Sequence, residues 1–364
     1  MKTILHFIGS LEVGGTENML LAYLKSTKSK ELRHIVCTIY PRGPLQEEFR
    51  KAGIEVISLG LGSKLAYPLA FIKFSGVVKK TNPDIVHSYL LQENLVARVV
   101  CKLMGKRLIC GKRDTDRGKP FWKVWLDRLT LPLAGLNISN SIAGKKELIS
   151  YGVPVNRVIA IPNGKDISPF NIALSKKEAK ERLGFKEHNV LLGCVARLYK
   201  FKGHEYLIRA MPEILAKNSN AGLLVVGEGE MRPKLEALVK ELRLGGTVNF
   251  LGERKDVPEI LKGLDIFILP SLREGMPGAL MEAMASGLPV VATDIDGNNE
   301  LVDGEKNGIL IPPADSGAIS KAVLSLLGDR KRMESIGRMA RKEIEDNYII
   351  GKMAESLDKA YLAF

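Results

Sequence analysis

The chain has 364 residues, more than one ordinary core of ~100–200 residues holds, so two domains are expected. Hydrophobic residues make up 45% and charged residues 26%, a composition that excludes a disordered chain, a collagen-like repeat and a disulfide scaffold. The net charge is +13, from 54 Lys and Arg against 41 Asp and Glu. This excess favours an anionic partner: nucleic acid, an acidic membrane surface or a phosphorylated substrate.

The positive charge is confined to the first half of the chain. Residues 1–170 contain 26 Lys and Arg against 13 Asp and Glu, whereas residues 171–364 contain 28 of each. Halves of different charge indicate different partners. The alternative is a soluble domain that is basic without a specific anionic partner.

The four cysteines form no metal or redox motif, because none has the Cys-x-x-Cys spacing and no nearby histidine completes a zinc pattern. They are Cys37, Cys101, Cys110 and Cys194. Reduced, structural thiols predict a cytosolic protein. The first apolar run, 4–8, is too short for a signal peptide. No apolar run approaches the ~18–20 residues that span a bilayer, so any membrane contact is expected to be peripheral, on the inner face of the cell membrane.

Short apolar runs alternate with longer amphipathic segments along the first half. The runs predict strands at 4–9, 34–40, 55–59, 84–88, 107–111, 136–139 and 158–161. The segments between them predict helices, for example at 17–27, 90–104 and 145–151. Apolar strands that alternate with helices indicate βαβ units and a parallel sheet buried on both faces.

The second half repeats this pattern. Its predicted strands are 190–195, 222–226, 248–251, 265–269, 289–293 and 309–311. Its predicted helices are 205–216, 233–242, 257–263 and 277–285, and two further helical stretches, 331–347 and 351–363, follow. Turn signals at 162–164 and 168–169 place the boundary near 162–175. The predicted fold class is α/β, with two doubly wound domains whose ligands bind at the carboxyl ends of the strands.

A glycine-rich loop follows the first predicted strand. Gly14 and Gly15 are adjacent, and Thr16 is a candidate cap for the helix that follows. Adjacent glycines allow close approach of the backbone to a ligand, and a helix N-terminus offers N–H groups to an anion. The loop matches neither the dinucleotide fingerprint nor the P-loop. A tight βα turn without a ligand explains the same residues.

Two loops of the second half carry charged residues at strand ends. Arg197 ends an apolar strand, and Lys202 and Gly203 precede a helix. Cations at such a place suit a diphosphate, since Arg supplies a planar fork and Lys a mobile charge. Charges in solvent are the alternative.

The loop after the strand 265–269 contains Glu274, followed by Gly275, Met276 and Pro277. Glu282 lies farther along, in an apolar helical segment where a carboxylate needs a partner. Carboxylates in such places suit sugar hydroxyls. A solvated helical charge is the other interpretation of Glu282. Residues 295–300 follow another predicted strand and form either a ligand loop or a turn with a capping glutamate. His87 ends a predicted strand and is either a cleft residue or an ordinary strand-end histidine.

Taken in order, these motifs resemble the retaining glycosyltransferases of family 4, which have two Rossmann-like domains in the glycosyltransferase B (GT-B) fold. The resemblance covers nearly the whole chain. It rests on Gly14-Gly15-Thr16-Glu17, His87, Asn163-Gly164, Arg197 with Lys202-Gly203, Val225-Val226-Gly227-Glu228-Gly229, Glu274 with Glu282, and Gly297-x-x-Glu300. Many members have two glycines before the x-x-Glu pattern, whereas this chain has Asp296-Gly297, which leaves sugar selection open.

The resemblance implies a donor site in the second domain. Arg197 and Lys202 would hold the donor diphosphate beside Gly203 and stabilise the leaving nucleotide. Glu282 would bind the ribose. Glu274 would hold the donor sugar together with the amides of Gly275, Met276 and Pro277.

It also implies roles outside these loops. Gly14 and Gly15 would approach the diphosphate or the acceptor, His87 would lie near the transferred sugar through its backbone and ring, and Arg254 would lie near the base. The implied domains are 1–170, which binds the acceptor, and 171–348, which binds the donor. Residues 349–364 are expected to pack back on the first domain.

The implied reaction is a front-face transfer that retains the anomeric configuration, with the departing diphosphate helping to deprotonate the acceptor. A UDP-sugar is the expected donor, and neither a metal nor a further cofactor is implied. The expected acceptor is a saccharide or a lipid-linked saccharide of cell-envelope glycan synthesis.

The first half also contains basic, aromatic segments. Residues 102–123 hold eight Lys and Arg, and Trp122 and Trp125 are spaced to share a helical face. The segment 64–80 is similar, with Phe71 and Phe74. Such segments suit an anionic membrane surface, and ordinary helices packed on the sheet are the alternative.

Three rival functions remain at this stage: a sugar-nucleotide epimerase of the same fold, a nucleic-acid-binding protein, and a non-catalytic sugar-nucleotide sensor. No groove-reading helix or aromatic RNA motif accompanies the basic residues, so nucleic acid is not an expected partner.

Overall fold

The computed structural model describes residues 1–41, 43–63, 67–113, 120–186 and 190–364. These residues form two compact units. The first consists of Met1–Gly164 with Ile350–Phe364, and the second is Lys165–Ile349. The division falls at Gly164, slightly before the expected boundary after residue 170.

The first unit contains a seven-stranded parallel sheet in the order β3-β2-β1-β4-β5-β6-β7. The strands are β1 (Lys2–Ile8), β2 (Leu32–Thr38), β3 (Glu55–Ser58), β4 (Ile85–Ser88), β5 (Arg107–Lys112), β6 (Leu136–Ser139) and β7 (Val158–Ala160). Each predicted strand of this half is present, because strands buried on both faces have continuous apolar sequences.

Helices cover both faces of this sheet. They are α1 (Gly15–Ser26), α2 (Gln46–Lys51), α3 (Leu69–Thr81), α4 (Leu91–Leu103), α5 (Phe121–Thr130), α6 (Ile142–Ser150) and α15 (Ile350–Ala363). Right-handed crossovers place α3 to α6 on one face and α1 and α2 on the other, where α15 joins α1. Alternate residues of β1 accordingly enter different cores: Ile4 and Ile8 pack with α1 and α15, and Leu5 and Phe7 pack with α3 and α4.

The second unit contains a six-stranded parallel sheet in the order β10-β9-β8-β11-β12-β13. The strands are β8 (Val190–Val195), β9 (Ala221–Val226), β10 (Val248–Gly252), β11 (Ile266–Leu269), β12 (Val290–Thr293) and β13 (Ile309–Ile311). The predicted α/β class with doubly wound parallel sheets is therefore confirmed.

Among the described residues of this unit, eight α-helices accompany the sheet. They are α7 (Lys176–Arg182), α8 (His204–Lys217), α9 (Arg232–Glu241), α10 (Val257–Gly263), α11 (Gly278–Ala285), α12 (Asp296–Asn299), α13 (Ser316–Gly328) and α14 (Arg330–Asn347). One core lies on each face of the sheet. The strand order reverses between β8 and β11, and the crevice at such a reversal is where ligands bind in doubly wound sheets.

Candidate functional site

The loops after β8 and β11 lie side by side at the point of reversal. The backbone N–H of Leu272 donates to the carbonyl of Phe201 at 2.8 Å, which joins the two loops directly. Gly203 has φ +69°, and a Cβ there would overlap the carbonyl oxygen of Pro270. Only glycine meets both requirements, so Gly203 fixes the start of α8 against the loop that carries Glu274.

Lys202 and Glu274 form an ion pair at this junction. Lys202 Nζ lies 2.6 Å from Glu274 Oε1, and the side chains are 19% and 10% exposed. The hydroxyl of Ser271, which is buried, donates to the same oxygen at 2.7 Å. Charge-assisted hydrogen bonds of this kind are stronger than neutral ones. The two residues that the sequence places in separate motifs therefore share one polar centre.

A buried hydrogen-bonded chain supports this centre from β12 and α12. The hydroxyl of Thr293 donates to the carbonyl of Ser271, and Asn298 Nδ2 donates to the carbonyl of Thr293 at 2.8 Å. A Cβ on Gly297 would lie 2.6 Å from the carbonyl oxygen of Gly275, so the backbones of the two loops approach closely. Ser271 and Thr293 are missing from the predicted site residues, although each is a polar residue where an apolar strand ends.

Glu282 extends from α11 on a partly exposed position. It pairs with Lys165, and the two side chains are 21% and 29% exposed. The neighbouring helix residues Leu280, Met281, Ala283 and Met284 are buried. The sequence predicts that this carboxylate needs a partner but does not show which residue it is. The structure identifies the partner as Lys165. Met276 and Pro277 are buried just before the helix, and Gly275 is partly buried.

Arg197 lies two positions beyond the end of β8 rather than on the strand itself. Arg197 is an exposed residue at the carboxyl edge of the sheet. The backbone N–H groups of Ala196 and Leu198 donate to the carbonyls of Val226 and Glu228. These bonds fix the backbone on both sides of Arg197 at that edge of the sheet.

Arg254 follows β10, two strands away from β8 in the sheet. Its guanidinium makes a two-point pair with Asp256, with Nε 2.7 Å from Oδ1. This pairing raises the pKa of Arg254 and lowers that of Asp256. The structure thus places Arg254 on the predicted edge but does not bring it into contact with Lys202 or Glu274.

In the first unit, α1 starts at Gly15 with Gly14 as its N-cap residue. The expectation that Thr16 caps this helix is wrong, because Thr16 lies inside the first turn. A Cβ on Gly15 would meet no atom within 4 Å. The start of α1 therefore leaves open space beside Gly15, whereas the carboxylate of Glu17 occupies the space beside Gly14.

His87 is fully buried within the first unit. Its Nδ1 lies 2.6 Å from the hydroxyl of Tyr361, and its ring stacks on Tyr89 with centroids 4.2 Å apart. Burial, and then the charge of Arg113, lower the pKa of His87, so the ring is neutral. Two tyrosines thus enclose the ring inside the first unit. The expected contact of His87 with the transferred sugar, through its backbone and ring, stays a prediction.

The polar groups gathered at the carboxyl edge of the second unit suit an anionic ligand that also carries hydroxyl groups. Arg197 and Lys202 supply positive charge, and Glu274 and Glu282 supply acceptors for hydroxyl groups. Among the residues that the structure describes, no three His, Cys, Asp or Glu side chains cluster as ligands for a metal ion.

Comparison with known families gives two matches that together cover most of the chain. The model of the Glycosyltransferase Family 4 matches residues 13–168. The model of the glycosyl transferases group 1 matches residues 175–343. The first match falls on the first unit and the second on the unit that holds Lys202 and Glu274.

Two curated relatives extend over most of the chain. A UDP-Gal:alpha-D-GlcNAc-diphosphoundecaprenol alpha-1,3-galactosyltransferase of Escherichia coli is 30% identical over 308 residues, which cover 80% of this chain and 79% of the relative. A capsular polysaccharide biosynthesis glycosyltransferase, CapM, of Staphylococcus aureus is 24% identical, covering 81% of this chain and 80% of the relative.

Among solved structures, Anabaena Alr3699/HepE in complex with UDP superposes with a TM-score of 0.88 over 100% of both chains, at 22% identity. This likeness confirms the predicted GT-B fold. The chain therefore belongs to glycosyltransferase family 4, the group 1 glycosyl transferases, and has their two Rossmann-like domains.

Proposed function

We propose that this chain is a retaining, metal-independent glycosyltransferase that moves a sugar from a UDP-sugar to a saccharide or lipid-linked acceptor in cell-envelope glycan synthesis. The observation that carries this proposal is the Lys202–Glu274 pair at the reversal between β8 and β11. The relative from Escherichia coli supports the donor and acceptor classes, since its name specifies UDP-Gal and a diphosphoundecaprenol-linked sugar. In this proposal 171–348 binds the donor and 1–170 binds the acceptor.

The donor diphosphate binds at the start of α8. Lys202 and Gly203 directly precede His204, the first helical residue, and Arg197 follows β8 at the same edge of the sheet. A helix of 14 residues offers free N–H groups and a positive dipole end to phosphate oxygens. These groups stabilise the negative charge that develops on the departing nucleotide, which is the main catalytic effect in this mechanism. The two cations supply the charge that a metal ion would otherwise provide.

Glu274 orients the transferred sugar. One of its oxygens receives the hydrogen bonds of Lys202 and Ser271, so the carboxylate is held in place and can accept hydrogen bonds from sugar hydroxyls. The amides of Gly275 and Met276 donate to the same sugar, whereas Pro277 has no backbone N–H to donate. Glu282 accepts hydrogen bonds from the ribose hydroxyls. These bonds replace part of its present contact with Lys165.

The transfer proceeds on one face of the sugar. The bond from the anomeric carbon to the diphosphate breaks, the acceptor oxygen attacks from the same side, and a phosphate oxygen of the departing nucleotide takes the acceptor proton. Gly14 and Gly15 allow the acceptor or the diphosphate to approach the start of α1. Arg254 binds near the base, and the backbone of His87 near the transferred sugar.

The test is a panel of UDP-, GDP- and ADP-sugars with candidate acceptors. A UDP-sugar at about 100 times its Kd should stabilise the protein by about 2.7 kcal/mol and raise its melting temperature by several degrees. Transfer should give a product with the donor's anomeric configuration by NMR and should continue in excess EDTA. An inverted product, a requirement for a divalent cation, or conversion of the donor without transfer would each contradict a part of the proposal.

A further inference from the structure

The helices α3 to α6, which cover one face of the first unit's sheet, expose many apolar side chains. Of the eleven large hydrophobic residues that are exposed among the described residues, eight lie on these four helices. They are Leu69, Ile72, Leu103, Phe121, Trp122, Trp125, Leu129 and Ile142. We call the outer surface of α3, α4, α5 and α6 the basic helix surface.

Four of these side chains lie on one side of α5. With ~100° of rotation per helical residue, Phe121, Trp125, Leu129 and Trp122 fall within an arc of about 100°. Their exposed fractions run from 55% for Trp125 to 82% for Phe121. A continuous aromatic face of this kind is unusual on a surface that contacts only water.

A buried ion pair fixes the opposite side of α5. Arg98 Nη1 lies 2.6 Å from Asp127 Oδ1, and Arg98 also donates to Thr130 at 2.8 Å. Asp127 projects about 190° from the centre of the aromatic face by the same helical periodicity. The ion pair with α4 therefore holds α5 with Phe121, Trp122, Trp125 and Leu129 turned outward.

The charges around this face have one sign. Every exposed charged residue of the four helices is basic, and these residues are Lys73, Lys79, Lys80, Lys102, Arg128 and Lys146. The acidic residues of the same helices are turned inward or paired: Glu93 is buried, Asp127 pairs with Arg98, and Glu147 pairs with Lys112. Lys64 and residues 114–119, which belong to the basic segments of the sequence, lie outside the described residues.

We propose that the basic helix surface docks on an anionic phospholipid bilayer, with the aromatic face of α5 inserted at the level of the headgroups. Tryptophan and phenylalanine place their rings at this depth, and lysines and arginines at the rim bind lipid phosphates. An anionic bilayer offers an apolar environment to the aromatic face and phosphate groups to the basic residues at its rim. No described helix is long and apolar enough to cross a membrane, so the contact proposed is with the membrane surface. This inference does not depend on which sugar is transferred.

The two tryptophans of the chain are Trp122 and Trp125, so the intrinsic tryptophan fluorescence reports on α5 alone. Vesicles of phosphatidylglycerol and phosphatidylethanolamine should shift the emission to shorter wavelength, and lipids brominated on the acyl chain should quench it. Pure phosphatidylcholine vesicles should bind at least tenfold more weakly, and high salt should weaken binding to the anionic vesicles. An unchanged emission spectrum with anionic vesicles would overturn the proposal.

A double variant, Phe121→Glu with Leu129→Glu, keeps both tryptophans and alters exposed positions only. We expect its partitioning into anionic vesicles to fall at least tenfold, with an unchanged melting temperature. The matched control is Val155→Glu, because Val155 is 63% exposed but lies outside the four helices. Equal vesicle binding by the two variants would overturn the assignment to α5.

Transfer to a water-soluble acceptor should be the same for both variants. If that transfer is absent from every form of the protein while vesicle binding follows this pattern, the proposed reaction fails and the membrane surface stands. The membrane proposal fails if the protein does not bind anionic vesicles and instead forms a concentration-dependent dimer through α5. In that case the aromatic face belongs to an interface between two copies of the chain.

Discussion

The Nζ of Lys202 lies 2.6 Å from Oε1 of Glu274, although the residues are 72 positions apart in the chain. The pair exists because β8 and β11 are neighbours in the sheet, which brings the loops that follow them together. A cation for phosphate and a carboxylate for sugar hydroxyls thus stand within one hydrogen bond of each other. This proximity is what a nucleotide-sugar donor requires, since its diphosphate and its sugar are joined by a single bond.

Replacement of Glu274 separates catalysis from nucleotide binding. Glu274→Ala removes the acceptor for sugar hydroxyls but leaves Arg197 and Lys202 for the diphosphate. We expect kcat to fall at least 100-fold, since a hydrogen bond to a charged group contributes about 1.5–3 kcal/mol and the sugar also loses its orientation. Affinity for UDP, measured by calorimetry, should change less than threefold. Turnover that survives this substitution would remove Glu274 from the proposed mechanism.

Lys202 and Lys200 provide a matched comparison within one loop. Lys202→Ala removes a cation from the leaving group, and we expect a loss of kcat of about 100-fold, the magnitude typical for one electrostatic group at developing charge. Lys200 is exposed, and Lys200→Ala should retain activity within about twofold. Steady-state kinetics with a saturating acceptor measures both. Equal losses of kcat from the two substitutions would mean that catalysis depends on the total positive charge of the loop and not on the position of Lys202.

Gly203 is expected to be essential for stability. A methyl group there meets the carbonyl of Pro270, and the backbone has φ +69°, so Gly203→Ala should lower the free energy of unfolding by about 2–4 kcal/mol. The control is Gly245→Ala, since Gly245 has open space around it and no left-handed φ. Urea unfolding of both variants checks this. A change below about 0.5 kcal/mol at Gly203 would show that the two loops separate easily.

Glu93 makes the stability of the first unit depend on pH. Burial of this side chain, which is 2% exposed, raises the pKa of Glu93 to about 7. The folded state therefore binds its proton more tightly than the unfolded state, and the contribution of Glu93 to stability falls as pH rises from about 4.5 to about 7. Glu93→Gln avoids this loss and should be more stable than the original protein by about 3 kcal/mol at pH 8.

The same substitution should have little effect at pH 4.5, where the original carboxyl is protonated in the folded state. Comparison of the two proteins by urea unfolding at both pH values isolates Glu93 from the histidines, which titrate equally in both. Glu17 raises the pKa of Glu93 further through its charge, so Glu17→Gln should reduce the difference. A difference in stability that is independent of pH would contradict this account of Glu93.

The sequence by itself determined most of the architecture. All strands of both sheets are predicted within a few residues, because a strand buried on both faces is a continuous apolar run between turn signals. It also identified the loops after β8 and β11 as candidate sites. Three helices of the second unit, α7, α12 and α13, are absent from the predictions. In α13 the signal was present, since Ile319, Ala322, Val323 and Leu326 recur at helical spacing and form its buried face.

Only the tertiary structure decided which side chains meet. The partner of Glu282 is Lys165, 117 positions away, and His87 faces Tyr361, 274 positions away, which places its ring inside the first unit. The outward turn of Trp122 and Trp125 follows from the pairing of Asp127 with Arg98. Local periodicity fixes the faces of an element, whereas the order of strands and the crossovers between them select the neighbours of each face.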